Sequence, residues 1–229
     1  YKIHNERITL MDPAKGMVTM SINDFKDINV LLSNLRFAPN LRLQGNHDYY
    51  ENNFPITHRY IQAYSDNMIW GNKVKGYGYC DFEQYKLRVI CLNDVEEGNK
   101  DKIYVSNDQL NWLINSLDMT NKENSNEWQI LILSHFPLDW TDAVEVGRIV
   151  NILNAYDKGV SWNNGTLTCN FTNKNNARLI GNIHGHIHNL LIDHLYFGSP
   201  SANNPSTLWR IASPEACINR SNQYSGKWK

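Results

Sequence analysis

Gly45-Asn46-His47-Asp48 directly follows an apolar, strand-like run, and so do Ser134-His135-Phe136-Pro137 and His184-Gly185-His186-Ile187-His188. Histidine and asparagine side chains, which bind metal ions through nitrogen and oxygen, are concentrated in these segments. In an α/β fold the carboxyl ends of neighbouring strands meet at one edge of the sheet, so segments far apart in sequence converge there. The sequence therefore predicts a metal site that is assembled from all three segments.

Taken together, the three segments resemble the calcineurin-like metallophosphoesterases. The pattern of that family runs Asp-x-His, Gly-Asp-x-x-Asp, Gly-Asn-His-Asp/Glu, a lone His after a strand, and Gly-His-x-His. Residues 45–48 match the third block, His135 matches the fourth, and residues 185–188 match the fifth. The resemblance covers roughly residues 41–195, and the order and strand context of the blocks make their combination specific.

The first two blocks of the family pattern are absent, because the sequence contains neither Asp-x-His nor Gly-Asp. In the family these blocks come first and supply the aspartate that bridges both metal ions, plus most ligands of the first ion. We therefore expect that the chain, which begins at Tyr1, lacks an amino-terminal βαβ portion of the fold. A native sequence without that portion is the alternative.

The order of the secondary-structure signals is typical of an α/β protein. Helical and strand-like runs alternate, the last third is rich in strands, and no repeat or linker divides the chain. We predict a single domain, residues 1–229, folded as a four-layer α-β-β-α sandwich of two mixed sheets, apart from the missing amino-terminal portion.

Capping signals and apolar spacing predict the helices. They are expected at 23–36, at 56–65, from the capping box at Ser106 to about Asp118, and from a cap at Thr141 to a stop at Gly159. Further strands are expected at 78–82, 87–93, 191–197 and 207–212. Residues 162–176 have neither period, which predicts an exposed loop or hairpin.

The resemblance implies a dinuclear metal centre. Asn46, His135 and His186 correspond to ligands of the second metal ion, and His188 corresponds to a ligand of the first. Imidazole ligands combined with oxygen ligands favour manganese, iron or zinc. Two such ions hold the phosphoryl oxygens and acidify a bridging water or hydroxide, which is the nucleophile.

The resemblance also implies which residues handle the proton. His47 corresponds to the general acid that protonates the leaving alkoxide, and Asp48 is available to orient its imidazole. The predicted function is hydrolysis of small phosphate monoesters or diesters. The runner-up is a catalytically inactive structural or binding module on the same fold.

Each segment also has a structural interpretation: a glycine turn at residues 45–48, a buried histidine at His135, and a polar hairpin at residues 184–188. His184 precedes the matching block and is expected to support the ligands or the fold. The spacing His-x-His-x-His also superficially resembles the metallo-β-lactamase signature, but Asn189 stands where that signature requires an acidic residue. Histidines 4, 58 and 194 match no block.

Composition narrows the remaining possibilities. A net charge of −1, with acidic and basic residues interspersed, disfavours a nucleic-acid partner. No apolar stretch approaches the roughly 20 residues of a membrane span, so no membrane partner is expected. The four cysteines are expected to be buried thiols, with a cross-strand Cys80–Cys91 disulfide as the alternative. Localisation stays open, with the cytoplasm slightly favoured.

Overall fold

The computed structural model describes residues 2–4, 7–12, 16–21, 41, 43, 45, 67–96, 103–138, 144–172, 177–186, 191–194 and 209–212. The helices in this part of the chain are α1 (Asn107–Leu117) and α2 (Val144–Lys158). The strands are β1 (Lys2–His4), β2 (Arg7–Asp12), β3 (Gly16–Ser21), β4 (Ile69–Asn72), β5 (Tyr77–Phe82), β6 (Leu87–Cys91), β7 (Gln129–Ser134), β8 (Ser161–Asn163), β9 (Thr168–Asn170), β10 (Arg178–His184), β11 (Leu191–His194) and β12 (Trp209–Ala212).

A seven-stranded mixed sheet is the largest of the described sheets, with the order β11-β12-β10-β7-β6-β5-β4. Strands β12, β10, β7 and β6 are parallel, whereas β11, β5 and β4 run antiparallel to their neighbours. This arrangement confirms the mixed α/β class. The four-layer sandwich stays a prediction.

The amino-terminal strands β1, β2 and β3 form an antiparallel sheet of their own. Sequence analysis did not predict it. Ser21, which lies two residues before the helix predicted at 23–36, is the last residue of β3 and lies opposite Arg7. The predicted helices at 23–36 and 56–65 fall outside the described residues.

Helix α1 begins where the capping signal predicts. The Ser106 hydroxyl oxygen accepts a hydrogen bond from the backbone N–H of Gln109 at 3.3 Å, which satisfies one of the unpaired donors of the first turn. Leu110, Leu113 and Leu117 follow at helical spacing and are fully buried. The predicted end near Asp118 is also confirmed.

Helix α2 ends at the predicted glycine. Gly159 has a φ of 62°, a left-handed conformation, and its N–H donates to the carbonyl of Tyr156 at 3.1 Å. Val146, Ile149 and Leu153 are buried, as the apolar spacing predicts. The expected cap at Thr141 lies outside the described residues.

The hydrophobic core joins the sheet to both helices. Ile90 of β6 and Ile132 of β7 pack in one buried cluster with Leu113 of α1 and Ile149 of α2. Burial of each of these side chains contributes about 1.5–3 kcal/mol. The core therefore fixes the relative positions of the strands whose carboxyl ends carry the candidate site.

The segment that was expected to be an exposed loop or hairpin forms the two-stranded hairpin β8–β9. Only one of its faces is exposed. Leu167, Cys169 and Phe171 alternate with exposed residues and belong to the hydrophobic core. Sequence analysis missed this alternation because asparagine and threonine dominate the segment.

A buried ion pair links β5 and β6. The Arg88 guanidinium donates two hydrogen bonds, of 2.7 and 2.8 Å, to the carboxylate of Asp81, and a third to the carbonyl of Ser116. Lys122 forms a 2.8 Å ion pair with the same carboxylate. Burial raises the pKa of Asp81, but hydrogen bonds from Arg88 and Lys122 outweigh that effect and lower its pKa below the usual value.

Cys80, Cys91 and Cys169 are buried and form no disulfide, as expected. Cys80 lies opposite Val89 and Cys91 lies opposite Gly78, so the two thiols are diagonal neighbours across the strand pair. Within the described ranges, neither helix has the length and apolarity needed to cross a bilayer.

Candidate metal centre

The carboxyl ends of three parallel strands lie side by side in the sheet. Cys91 of β6 is opposite Leu133 of β7, and His184 of β10 is opposite Ser134. The N–H of Gly185 donates to the carbonyl of His135 at 3.1 Å, which continues the pairing beyond the strands. The segments that follow these strands therefore leave the sheet at one edge. The sequence predicts this for two of the three candidate segments, 134–137 and 184–188.

His135 and His186 meet at this edge. The Nε2 atom of His135 lies 3.3 Å from the Nδ1 atom of His186, and the two rings are nearly perpendicular, with centroids 5.2 Å apart. Two imidazole nitrogens bound at about 2.0–2.1 Å to one tetrahedral ion are about 3.3–3.4 Å apart. The two rings thus have the spacing of two ligands of a single ion. Without an ion, one ring donates a hydrogen bond to the other.

Phe136 forms the apolar wall of this contact. Its ring centroid lies 4.2 Å from that of His186 and 5.1 Å from that of His135. The Phe136 side chain is buried. Apolar packing against both imidazoles limits their rotation and excludes water from one side of the pair.

Gly45, the first residue of the candidate segment 45–48, lies at the same place. A Cβ atom at this position would lie 2.8 Å from Cε1 and 2.9 Å from Nδ1 of His135, closer than such atoms approach. Only glycine therefore allows the backbone to pass this close to the ring. As a result, described residues from all three candidate segments lie together at His135: Gly45, His135 itself, Gly185 and His186.

His186 has an unusual backbone conformation. Its φ is 65°, in the left-handed region that residues with a side chain rarely adopt. Such a conformation costs a non-glycine residue on the order of 1–3 kcal/mol and is concentrated at functional sites. The strained backbone carries the ring that contacts His135.

Buried polar groups hold the turn at His135. The Ser134 hydroxyl donates to the carbonyl of Phe136 at 2.8 Å and accepts a 3.0 Å hydrogen bond from the side-chain amide of Asn182. The N–H of Phe136 donates to Oδ2 of Asp94 at 2.7 Å. Side chains from three neighbouring strands or the loops that follow them thus fix the backbone on both sides of the histidine.

Asp94 lies just after the end of β6 and is almost completely buried. Burial raises the pKa of its carboxyl group to about 7, although hydrogen bonds from the backbone N–H groups of Phe136, Asp94 itself and His135 act in the opposite direction. Sequence analysis did not assign a role to Asp94 or to Asn182. Both could have been singled out, since Asp94 closely follows an apolar strand and Asn182 interrupts one.

His184 is buried, and its Nδ1 lies 3.0 Å from the carbonyl oxygen of Gly185. This contact fixes the ring beside the turn that leads to His186. The geometry agrees with the expectation that His184 supports the ligands or the fold.

The loop after β6 is anchored by an amide side chain of α1. Gln109 accepts a hydrogen bond from the N–H of Asn93 at 2.8 Å and donates to its carbonyl at 2.9 Å. The Asn93 side chain donates to the carbonyl of Lys75 at 2.7 Å. These contacts hold the backbone immediately before Asp94.

The structure brings together two of the predicted site residues, His135 and His186. In the ranges that it describes, no group of three or more His, Cys, Asp or Glu side chains is arranged to hold a metal ion. The donor atoms that are described, two imidazole nitrogens at ligand spacing, fit a transition metal. The remaining predicted residues lie outside the described part of the chain: Asn46, His47, Asp48 and His188.

Comparison with known proteins gives no independent assignment. No protein-family model matches the chain, and no curated protein matches it significantly.

Proposed function

We propose that this chain is a metal-dependent phosphoesterase. The observation that supports the proposal most strongly is the 3.3 Å approach of His135 Nε2 and His186 Nδ1, with the backbone of Gly45 packed against the same ring. Residues from three segments that each match a metallophosphoesterase block are thereby neighbours in space. A chance occurrence of the three short motifs would not require them to meet.

His135 and His186, together with Asn46, would hold the second metal ion, and His188 would contribute to the first. When bound, the ions supply Lewis-acid activation of a phosphoryl group and of a water molecule. The buried turn at His135 keeps the imidazole ligands in place and shields one side of the pair from solvent.

His47 would act as the general acid, donating its proton to the leaving alkoxide. Asp48 would orient the His47 imidazole through a hydrogen bond. Both residues closely follow Gly45 in the sequence, and the backbone of Gly45 lies beside the His135 ring, which supports the assignment. The proposal includes the four-layer sandwich and a small phosphate monoester or diester as substrate.

Metal binding by the purified protein tests the proposal. Titration with Co²⁺, followed by its visible absorption and by calorimetry, should give a binding signal that His135→Ala and His186→Gly each abolish. Glycine is chosen at position 186 because it tolerates the left-handed backbone. His194→Ala is the control, because residue 194 lies opposite Trp209, at the other end of β12 from the candidate centre.

Hydrolysis of p-nitrophenyl phosphate and of bis-p-nitrophenyl phosphate, with Mn²⁺, Fe²⁺ or Zn²⁺ added, separates the two candidate functions. Metal-dependent turnover that is lost in both histidine variants supports the phosphoesterase. Metal binding without turnover of either ester favours the inactive binding module. Unchanged Co²⁺ affinity in both variants overturns the metal centre itself.

A further inference from the structure

We propose that Asp94 is a positioning residue, which holds the His135 turn so that the imidazole of His135 meets that of His186. The inference rests on the proposed function for its catalytic consequence. The geometry on which it depends is independent of any metal.

The hydrogen bond between Asp94 and the turn is short and buried. Oδ2 of Asp94 accepts a hydrogen bond of 2.7 Å from the N–H of Phe136, the residue directly after His135. Asp94 is 1% exposed, so water does not compete for this bond. A hydrogen bond of this length has good geometry, and the low dielectric of a buried site strengthens it.

Further hydrogen bonds hold the turn from β7 and β10. Ser134 Oγ donates to the carbonyl of Phe136, Asn182 donates to Ser134 Oγ, and the N–H of Gly185 donates to the carbonyl of His135. These donors belong to β7, β10 and the residue after β10. Asp94, by contrast, follows β6. Its carboxylate therefore holds the turn from the β6 side of the sheet.

Asp94 itself is held in place by a rigid loop. The preceding residue, Asn93, has its backbone N–H and carbonyl bound by Gln109 of α1 and its side chain bound to the carbonyl of Lys75. The position of the carboxylate is therefore set by α1 and by the turn between β4 and β5. Because the carboxylate binds the N–H of Phe136, it also restrains the adjacent backbone of His135.

Burying a carboxyl group opposes folding unless both of its oxygens are hydrogen-bonded. Oδ1 of Asp94 has no hydrogen-bond partner among the described residues, and desolvation of such a group opposes folding. An apolar residue of similar size would often be at least as stabilising at a buried site. The carboxyl group at position 94 is therefore better explained by its hydrogen bond to the turn than by a gain in stability.

Three variants test the proposal. Asp94→Ala removes the acceptor, Asp94→Asn keeps an oxygen acceptor of the same size without the charge, and Asp94→Leu fills the volume without an acceptor. Asp81→Asn is the matched control, because Asp81 is also a mostly buried carboxylate but binds Arg88, away from the His135 turn. The leucine variant replaces the alanine variant if the latter does not fold.

The first measurement needs no metal. Long-range ¹H–¹⁵N spectra of the histidine rings, with ring-to-ring nuclear Overhauser effects, report the proximity of His135 and His186 in the metal-free protein. We expect the ring-to-ring effects in the wild-type protein, in Asp94→Asn and in Asp81→Asn. They should disappear in Asp94→Ala or Asp94→Leu, although these variants remain folded by circular dichroism.

The second measurement is Co²⁺ affinity. Loss of a residue that orients a ligand typically weakens metal binding 10–100-fold, so we expect a loss in this range for the variants without an acceptor. Asp94→Asn should lie within about fivefold of the wild-type protein, and Asp81→Asn should equal it. A merely structural role for Asp94 would lower thermal stability in the same variants without moving the histidine rings.

The outcomes separate this inference from the proposed function. Unchanged ring-to-ring effects in folded Asp94→Ala or Asp94→Leu overturn the inference, whatever the metal affinity. Loss of these effects in folded Asp94→Asn, which keeps the acceptor, overturns it as well. A wild-type protein that binds no metal, but whose histidine rings still need the acceptor at position 94 to meet, supports the inference and overturns the proposed function.

Discussion

The Nδ1 atom of His186 lies 3.3 Å from the Nε2 atom of His135, although 51 residues separate them in the chain. The two rings meet because β7 and β10 are parallel neighbours that end in register, and because the backbone of His186 takes a left-handed turn one residue after the pairing ends. A lysine or leucine pair at these positions would gain little from this arrangement. Under the proposed function, two nitrogen ligands at this distance would share a metal ion.

Gly45→Ala should weaken metal binding by displacing His135. The new Cβ would lie 2.8 Å from Cε1 and 2.9 Å from Nδ1 of the ring, so either the ring or the backbone must move. We expect roughly 10–100-fold lower Co²⁺ affinity, the range found when ligand orientation is disturbed, measured by calorimetry.

The matched control for Gly45 is Gly147→Ala in α2, where a Cβ would meet no atom within 4 Å. Alanine has the better helix propensity, so this variant should be up to about 1 kcal/mol more stable and should bind metal as the wild-type protein does. Wild-type affinity in Gly45→Ala would contradict the close packing of Gly45 against His135.

His47→Asn should leave metal binding nearly intact and lower turnover by roughly 10²–10⁴-fold, the usual contribution of a general acid. The reason is that, under the proposed function, His47 would donate a proton rather than bind an ion. The defect should be smaller for nitrophenyl esters than for alkyl esters, because nitrophenolate leaves without a proton. An equal loss on both classes, or a loss of metal, would assign His47 a different role.

The parts of the fold that follow local rules could be predicted from the sequence. The cap at Ser106, the stop at Gly159 and the apolar spacing in both helices depend on neighbouring residues alone. The strands before His135 and Gly185 were predicted for the same reason, since each is an apolar run followed by a polar turn.

Other features depend on partners that a sequence does not reveal. The role of Asp94 requires that β6 and β7 be parallel neighbours, so that its carboxylate reaches Phe136. The burial of Phe171 requires the face of α2 and the sheet against which the hairpin packs. Both features are consequences of tertiary contacts, which override local composition.

Removal of metal should destabilise the protein. An ion present at about 100 times its dissociation constant stabilises the folded state by about 2.7 kcal/mol, which for a domain of this size corresponds to roughly 5–10 °C in Tm. EDTA should therefore lower the Tm of the metal-loaded protein by this amount, measured by differential scanning calorimetry. His135→Ala should start at the lower Tm and should not respond to EDTA; an equal EDTA response would place the stabilising ion elsewhere.

The buried Asp81–Arg88 pair predicts a pH-dependent contribution to stability. Because the pKa of Asp81 is lowered in the folded state, its contribution is fully present above the unfolded-state pKa of about 3.9 and is lost as the pH falls through the folded-state value. Asp81→Asn leaves Arg88 buried without its carboxylate, which costs roughly 3 kcal/mol at pH 7. Urea unfolding at several pH values should give a difference between wild type and variant that shrinks below about pH 4.

Glu83→Gln is the control for that series, because Glu83 is exposed and pairs with Lys122 at the surface. Exposed pairs contribute only about 0–1 kcal/mol, so this variant should unfold almost as the wild-type protein does at every pH. If the Asp81→Asn difference stayed constant down to about pH 2, well below the unfolded-state pKa, the loss would come from packing of the amide rather than from the ionised pair. A difference that grew as the pH fell would have the wrong sign for a carboxylate with a lowered pKa.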